Sequence, residues 1–360
     1  MVNSDAELVV LAIVGYAGGT NVGESLRRAA CKIGHDVLFF DSNPAVLGPR
    51  WLRSLSWRFT DHRPPGLGRF SAEVVTECTQ ARPDILIATG AAPMTKGALR
   101  ALRSTGVVCI NYSTDDPWNP VMRASWYLQA LPDYGFVFST RRVNIEEFRR
   151  LGCAEVHFLP FGYDEWLFGL PERRPVSVAH DVLFVGGADR DRAAFMTEFM
   201  RSGPSVALVG RYWTRFPAMR PYALGQMPPE TLCALTAAAK VNLCLVRRAN
   251  RDGHVMRTFE IAAIGGCMLS EDTAEHREIF GADGECVLYF RTPEEAARRA
   301  QMLLADVAER TRLASAVRAR VVGGAHTYRD RLLTMVGTVA GASDVNKIEK
   351  VALLGPIDHA

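Results

Sequence analysis

Short apolar runs recur along this chain. Each closes on a glycine or a polar turn, and each is followed by a helical stretch. No other feature restricts the fold as much. The first run is Leu8–Val14, which ends in Gly15; Gly18, Gly19 and Gly23 follow, then a helical stretch over Glu24–Ile33 stopped by Gly34, then a strand from Val37 to Phe40. Continuously apolar strands, rather than alternating ones, belong to parallel sheets covered on both faces. The runs Asp84–Ala88, Val107–Ile110, Phe136–Ser139 and Val156–Leu159 continue the series, with helices expected over Thr95–Ser104 and Val143–Leu151. The first part of the chain therefore reads as a doubly wound α/β domain.

The pattern breaks in GLPERRPVSVAH, which has two prolines and several charges, and residues 171–180 read as a linker. It then starts again. Val182–Val185 leads into Gly186-Gly187, and Val206–Val209 leads into Gly210-Arg211. A helix is expected over Thr231–Ala239, a strand over Val241–Val246, a helix carrying Glu260, a strand at Cys267–Leu269, and amphipathic helices over Pro293–Ala305 and Glu309–Val321. A last periodic segment, Arg329–Val339, precedes a tail rich in Gly, Ser, Asp and Asn. The expected division is 1–170, the linker 171–180, 181–328, and a terminal segment 329–360. Two α/β domains in tandem imply a cleft between them.

A length of 360 residues fits two domains, and 48% apolar with 22% charged residues allows a sizeable core. The net charge of +3 lacks the concentrated basic face of a nucleic-acid binder. None of the eight cysteines forms a C-x-x-C pair, so they read as buried thiols of a reducing compartment. Leu8–Val14 follows Asp5 and Glu7, is too short to span a bilayer and lacks a basic leader, which points to a cytoplasmic chain with no transmembrane segment.

Four polar clusters are candidates for chemistry. In GYAGGTNVG, Gly18 and Gly19 let the backbone approach an anion at a helix start, or simply make a tight turn. Asp41 at the end of the second strand stands about where a nicotinamide enzyme keeps its ribose acid, so an oxidoreductase is a rival reading. In NYSTDDPWNP, Asp115 and Asp116 follow a strand; they either orient or deprotonate an acceptor hydroxyl or make an Asp-Pro turn. No third carboxylate is tied to them by a metal motif, so no metal is expected. In VRRANRDGHVMR, Arg247, Arg248, Arg251, His254 and Arg257 follow a strand and lead into a helix with unpaired N–H groups, a phosphate site or a solvated basic loop. Glu260 stands between Phe259 and Ile261 on that helix, where it either holds two ribose hydroxyls or is a satisfied core carboxylate; Asp252 would then lie nearer an attached sugar. Arg190, Arg192 and Arg211, after two other strands, could add positive charge. Trp51, Trp57, Trp118 and Trp126 line an aromatic site or fill core, and His62 and His254 are candidates for a catalytic base or are surface or structural histidines.

At these residues the chain resembles a family. HVMRTFEIAAIGGCMLSEDTAEHREIF is similar to the C-terminal domain of glycosyltransferases of the GT-B fold, closest to the CgeB-like group, relatives of the retaining family 4 enzymes. TDDPW, FLPFGYD at 158–164 and HTYRDR at 326–331 resemble the same group. The family's Glu-x7-Glu pattern reads here as Asp252-x7-Glu260, with the first acid one methylene shorter. The resemblance implies two Rossmann-like domains facing each other across a cleft, an acceptor on the first, a nucleotide-sugar donor (UDP-, GDP- or TDP-linked) on the second, and a final helix crossing back to the first. It implies Glu260 on the donor ribose, Asp252 by the donor sugar, and Gly18, Gly19, Arg190, Arg192, Arg211, Arg247, His254, Val255, Met256 and Arg257 as donor-binding residues, with no metal and no cofactor. Asp115, Asp116 and Asp252 are the expected catalytic residues. The expected activity is transfer of a sugar to an acceptor hydroxyl of a small molecule, glycan or protein. A non-catalytic sugar-nucleotide-binding protein on the same fold is the alternative.

Overall fold

The computed structural model describes residues 9–46, 60–169, 180–201 and 203–342. The expected linker 171–180 (except His180), Asp5, Glu7, Leu8, Trp51, Trp57 and the tail beyond residue 342 lie outside them. The chain divides into two compact units: residues up to Pro160 together with those from Tyr328 on, and Phe161–Thr327.

The first unit holds one parallel sheet of β1 (Val10–Gly15), β2 (Asp36–Asp41), β3 (Ile85–Thr89), β4 (Val108–Ser113), β5 (Phe136–Ser139) and β6 (Glu155–Phe158), in the order β2-β1-β3-β4-β5-β6. Leu11 to Val14 on β1 are wholly buried, which explains why this run carries no polar residue. Gly15 is needed for close packing: a Cβ there would lie 2.6 Å from Thr89 Oγ1 and 2.9 Å from Gly23 Cα. The strand can thus approach the helix Val22–Lys32. Thr95 caps the helix Lys96–Ser104 by accepting from the Ala98 N–H at 3.2 Å. No expectation covered the helix Leu67–Ala81, whose buried face is Leu67, Phe70, Ser71, Val74 and Cys78. The helix Tyr328–Ala342 belongs to this unit and packs on Val22–Lys32. Arg331 Nε and the Tyr112 hydroxyl both donate to Pro160 O, each at 2.8 Å.

The second unit holds β7 (Val182–Val185), β8 (Val206–Val209), β9 (Ala223–Gly225), β10 (Val241–Cys244), β11 (Met268–Glu271) and β12 (Leu288–Phe290), all parallel, in the order β12-β11-β10-β7-β8-β9. Read from the β9 edge and renumbered within the unit, this is the order 3-2-1-4-5-6 of dinucleotide-binding sheets. The unit begins at Phe161, earlier than the boundary expected at residue 170, because the short helix Glu165–Phe168 packs on the helices Pro229–Ala238 and Met256–Ile264. The Cys233 thiol donates to Leu167 O at 3.2 Å in the same contact. On the other face, Met196 and Phe199 of the helix Arg190–Arg201 and Ala297 and Ala300 of Pro293–Ala305 join one buried core with Phe184 and Leu243.

Candidate functional site

The strand order puts β7 beside β10 while their connections run to opposite sides, so the loops after these two strands part and leave a crevice at their carboxyl ends. Gly186 and Gly187 follow β7 and are held from β8. Gly210 has φ 140°, and a Cβ on it would come within 2.3 Å of Gly186 O. Trp213 Nε1 donates to the same carbonyl at 2.8 Å, and the Ala188 N–H donates to Arg211 O at 2.9 Å.

Arg192 lies under this crevice. Its guanidinium donates to Gly187 O and to Leu245 O, both at 3.1 Å, and so joins the loops after β7 and β10. The residue is 8% exposed and its Nε has no hydrogen-bond partner. Burial, then the nearby Arg247 charge, lowers its pKa, while Asp189 and Asp252 oppose that shift. Arg192, expected to meet a donor, thus acts on the loops from below. Arg247 is half-buried beside Gly187, and its carbonyl accepts from the Asp252 N–H at 3.3 Å. Arg190 and Arg211 are exposed, Arg190 as the first residue of its helix.

The loop then turns at Arg251 (φ 50°) and enters the helix Met256–Ile264. Thr258 reaches back with its hydroxyl to the Val255 N–H at 3.1 Å. Val255, the N-cap residue, has no side-chain acceptor for the Met256 and Arg257 N–H groups, so the helix start can receive an anion. Glu260 is 1% exposed on the second turn of this helix and is bonded to Arg257. Asp252 is half-buried at the loop edge.

His254 differs from the expectation of a donor contact. Its ring is buried; Nε2 accepts from the Phe161 N–H at 3.0 Å, and Nδ1 lies 2.5 Å from Glu275 Oε2. Three residues that the motif reading passed over support the site from behind. Glu271 accepts from the Val246 N–H at 3.1 Å and pairs with Arg248 at 3.1 Å. Glu275 holds His254. His276 bonds Thr258 Oγ1 at 2.9 Å and Glu271 O at 2.8 Å, and burial drives its pKa down to about 4. All three fall in SEDTAEHREIF, where the Thr273 cap was the local signal of a helix start.

A cavity of about 460 Å³ opens at this edge, lined among others by Asp189, Arg192, Phe195, Leu245, Arg248 and Glu271. It lies on the side of the Arg190–Arg201 helix, and neither Asp252 nor Glu260 lines it. Among the described residues, no three His, Cys, Asp or Glu side chains are placed to hold a metal ion.

In the first unit, Gly18 and Gly19 form an exposed loop tip at φ 75° and 59°. Asp41 Oδ1 turns back to accept from the Ala17 N–H at 3.1 Å and the Asn43 N–H at 3.0 Å, which makes it a loop brace. Asp116 is 2% exposed, and its Oδ1 accepts from the Trp118 N–H and from Asn144 Nδ2, each at 3.0 Å. Asp115 is exposed after β4, near Tyr16, whose pKa is raised by burial and then by Asp115 and Asp41. His62 Nδ1 contacts Arg123 O at 2.7 Å, Trp126 Nε1 donates to His62 O at 3.3 Å, and Trp118 packs edge-on against Phe148 at 5.0 Å.

Comparison with known proteins adds to this geometry. Residues 190–337 match the family described as "Glycosyl transferase-like". None of the curated proteins matches the sequence. A sucrose-phosphate synthase from Thermosynechococcus elongatus superposes with a TM-score of 0.67 at 16% identity, over 92% of this chain and 98% of that one. An alpha,alpha-trehalose 6-phosphate synthase from Burkholderia multivorans gives 0.61 at 13%, over 93% and 99%. An Anabaena HepE structure in complex with UDP and glucose gives 0.56 at 14%, over 92% and 91%. The two parallel six-stranded sheets have the GT-B fold of these structures. Among the described residues, no helix is long and apolar enough to cross a membrane.

Proposed function

We propose that this chain is a glycosyltransferase that moves a sugar from a nucleoside-diphosphate sugar to an acceptor hydroxyl, without a metal ion and with retention of configuration. The observation that carries this is Glu260, buried one turn behind an uncapped helix start at the switch point of a sheet with dinucleotide-binding order. The same segment lies within the stretch that matches the glycosyl transferase-like family.

In this reading the diphosphate meets the Met256 and Arg257 N–H groups and Arg247, next to Val255, whose own N–H is taken by Thr258, with Arg190, Arg211, Gly18 and Gly19 as further donor contacts. Glu260 accepts from the ribose hydroxyls, and Asp252 lies at the sugar. The bond from the anomeric carbon to the phosphate oxygen breaks, the acceptor oxygen bonds to that carbon, and the hydroxyl proton is released. Negative charge grows on the leaving diphosphate, where oriented N–H groups and arginine stabilise it most. Asp115 meets the acceptor, and Asp116 sets the loop that carries it. Kinship to the CgeB-like group and a cytoplasmic site of action belong to the same proposal.

The test is a thermal-shift panel of UDP, GDP, TDP, their sugars and NAD, on the wild type and on Glu260→Ala. A ligand at 100-fold above its Kd adds about 2.7 kcal/mol to stability. One nucleoside diphosphate should stabilise the wild type, and in the variant the effect should fall to about 1.4 kcal/mol or less. Stabilisation by NAD alone, or equal stabilisation of both proteins, would overturn the proposal.

A further inference from the structure

We propose that His254 is a positioning residue: with Glu275 it clamps the loop ahead of Glu260 to Phe161, the first residue of the second unit, and it acts on the donor through that loop. The inference rests on the function proposed above, since it is the donor site that the loop serves.

Both ring nitrogens of His254 are engaged inside the protein. The carboxylate of Glu275 can only accept from Nδ1, at 2.5 Å, when it is ionised, which puts the proton on Nδ1. Nε2 is then the acceptor that the Phe161 N–H requires, and it lies 3.0 Å away. One carboxylate thereby fixes the tautomer that lets the ring hold a backbone amide. Phe161 and Phe259 pack edge-on against the ring, with centroids at 5.7 and 5.6 Å.

The same carboxylate is pressed against the loop itself. A Cβ on Gly253 would come within 2.4 Å of Glu275 Cδ, so only glycine lets the acid lie there. The Thr273 hydroxyl donates to Gly253 O at 2.5 Å, a second tie from the same helix start. Gly253 and His254 are thus pinned between Asp252 on one side and Val255 and Met256 on the other.

The Phe161 end of the clamp is also anchored. The Tyr163 N–H donates to His326 O at 3.0 Å, and Tyr163 and Thr327 form a parallel bridge. A Cβ on Gly162 would lie 2.7 Å from His326 O, so the segments by which the chain enters and leaves the unit run in close contact. The ring of His326 packs on Phe259 at 5.2 Å. The loop is therefore tied to a backbone segment that is itself bonded to His326 and Thr327, and a shift of the loop displaces the residues that face the donor.

The experiment measures the Kd of the nucleoside diphosphate found in the panel above, and hydrogen exchange of the Phe161 amide, in His254→Phe, Glu275→Ala and the double variant. His254→Gln and Glu275→Gln keep an acceptor at each place and serve as conservative controls, with circular dichroism to check folding. Misplacement of a binding loop by about 1 Å can cost on the order of a hundredfold. The expected result is a Kd raised about tenfold or more in both single variants, no further rise in the double variant, faster Phe161 exchange, and substantial recovery in the Gln variants. Unchanged Kd with faster exchange would overturn the inference and leave the function standing. Additive losses in the double variant would also overturn it, since they mean that His254 touches the ligand directly. No nucleotide binding by the folded wild type would remove the function and this inference together, while the exchange data alone would still report whether the clamp exists.

Discussion

Glu260 and Arg257 are bonded one turn apart on the same helix, the acid 2% and the arginine 23% exposed at their side chains. This ion pair is what allows a carboxylate on a helix whose neighbours Phe259 and Ile261 are core residues. It also presets the site. Arg257 occupies the carboxylate from the side of the helix start, and in the donor site proposed above the ribose shares Glu260 with it. Glu260→Ala therefore removes a charged acceptor worth about 1.5–3 kcal/mol per hydrogen bond. The expected outcome is a loss of nucleotide affinity of about ten- to a hundredfold by calorimetry. Arg257→Ala leaves the acid buried without this partner, and should lower the melting temperature more than Glu260→Gln does.

Asp252 is expected to separate binding from turnover. It sits at the loop edge, and its backbone N–H, not its side chain, makes the bond to Arg247 O. Asp252→Asn keeps the size of the side chain and removes its charge. With a donor sugar at that place, kcat should fall by about a hundredfold, as for the loss of one electrostatic contact to a transition state. The Kd for the nucleoside diphosphate should stay within about twofold, since the proposed diphosphate site is the helix start and Arg247 rather than Asp252. Unchanged turnover with the identified donor would return Asp252 to a loop role.

The strands were legible because parallel strands covered on both faces must be apolar throughout, and Val182–Val185 and Val206–Val209 fall where their runs do. The helix Leu67–Ala81 and the short β9 were not legible. The buried face of the first has Ser71 at its centre and few large apolar side chains, and the second has only three residues, at the sheet edge. At the site, sequence spacing located the loop and helix but could not show which way a side chain turns. His254 and Arg192 read as ligand contacts because both are polar and follow strands. In the structure, one is spent on Phe161 and Glu275 and the other on two carbonyls. The supporting acids Glu271 and Glu275 lie on later elements, and only the strand order brings them back to the loop.

Arg192 gives a stability prediction. Its fork spans two carbonyls that belong to different loops, a geometry that the point charge of lysine cannot reproduce. Arg192→Lys and Arg192→Ala should both lower stability, the latter by about 3 kcal/mol, because the buried Leu245 carbonyl and the half-buried Gly187 carbonyl lose their donor and a buried charge is removed from its partners. Chemical denaturation would measure it. A change below about 0.5 kcal/mol, the range of ordinary surface substitutions, would show that water replaces the guanidinium at no cost.

His276 gives the pH prediction. It is fully buried, between Thr258 Oγ1 at Nε2 and Glu271 O at Nδ1, and its neutral form suits both bonds: Nδ1–H donates to the carbonyl and Nε2 accepts from the hydroxyl. Protonation would turn both nitrogens into donors in a site closed to water. Burial is the largest cause of its low pKa of about 4, with His254 adding to it while the Glu271 carbonyl, Glu275 and Asp272 act in the opposite direction. The unfolded chain protonates this ring near its ordinary value of 6.5. Between these two values the unfolded state binds the extra proton, so the contribution of His276 is intact above pH 6.5 and is lost as pH falls toward 4. The whole effect is on the order of 3 kcal/mol, at about 1.36 kcal/mol per pH unit. His276→Gln should be less stable than the wild type at pH 7, because it cannot make both bonds in the same geometry. Its stability should then fall less steeply on acidification, so that the two denaturation curves approach each other as the pH drops. Curves that stay parallel from pH 7 to 4.5 would mean that the buried ring takes up its proton in the folded chain as readily as in the unfolded one.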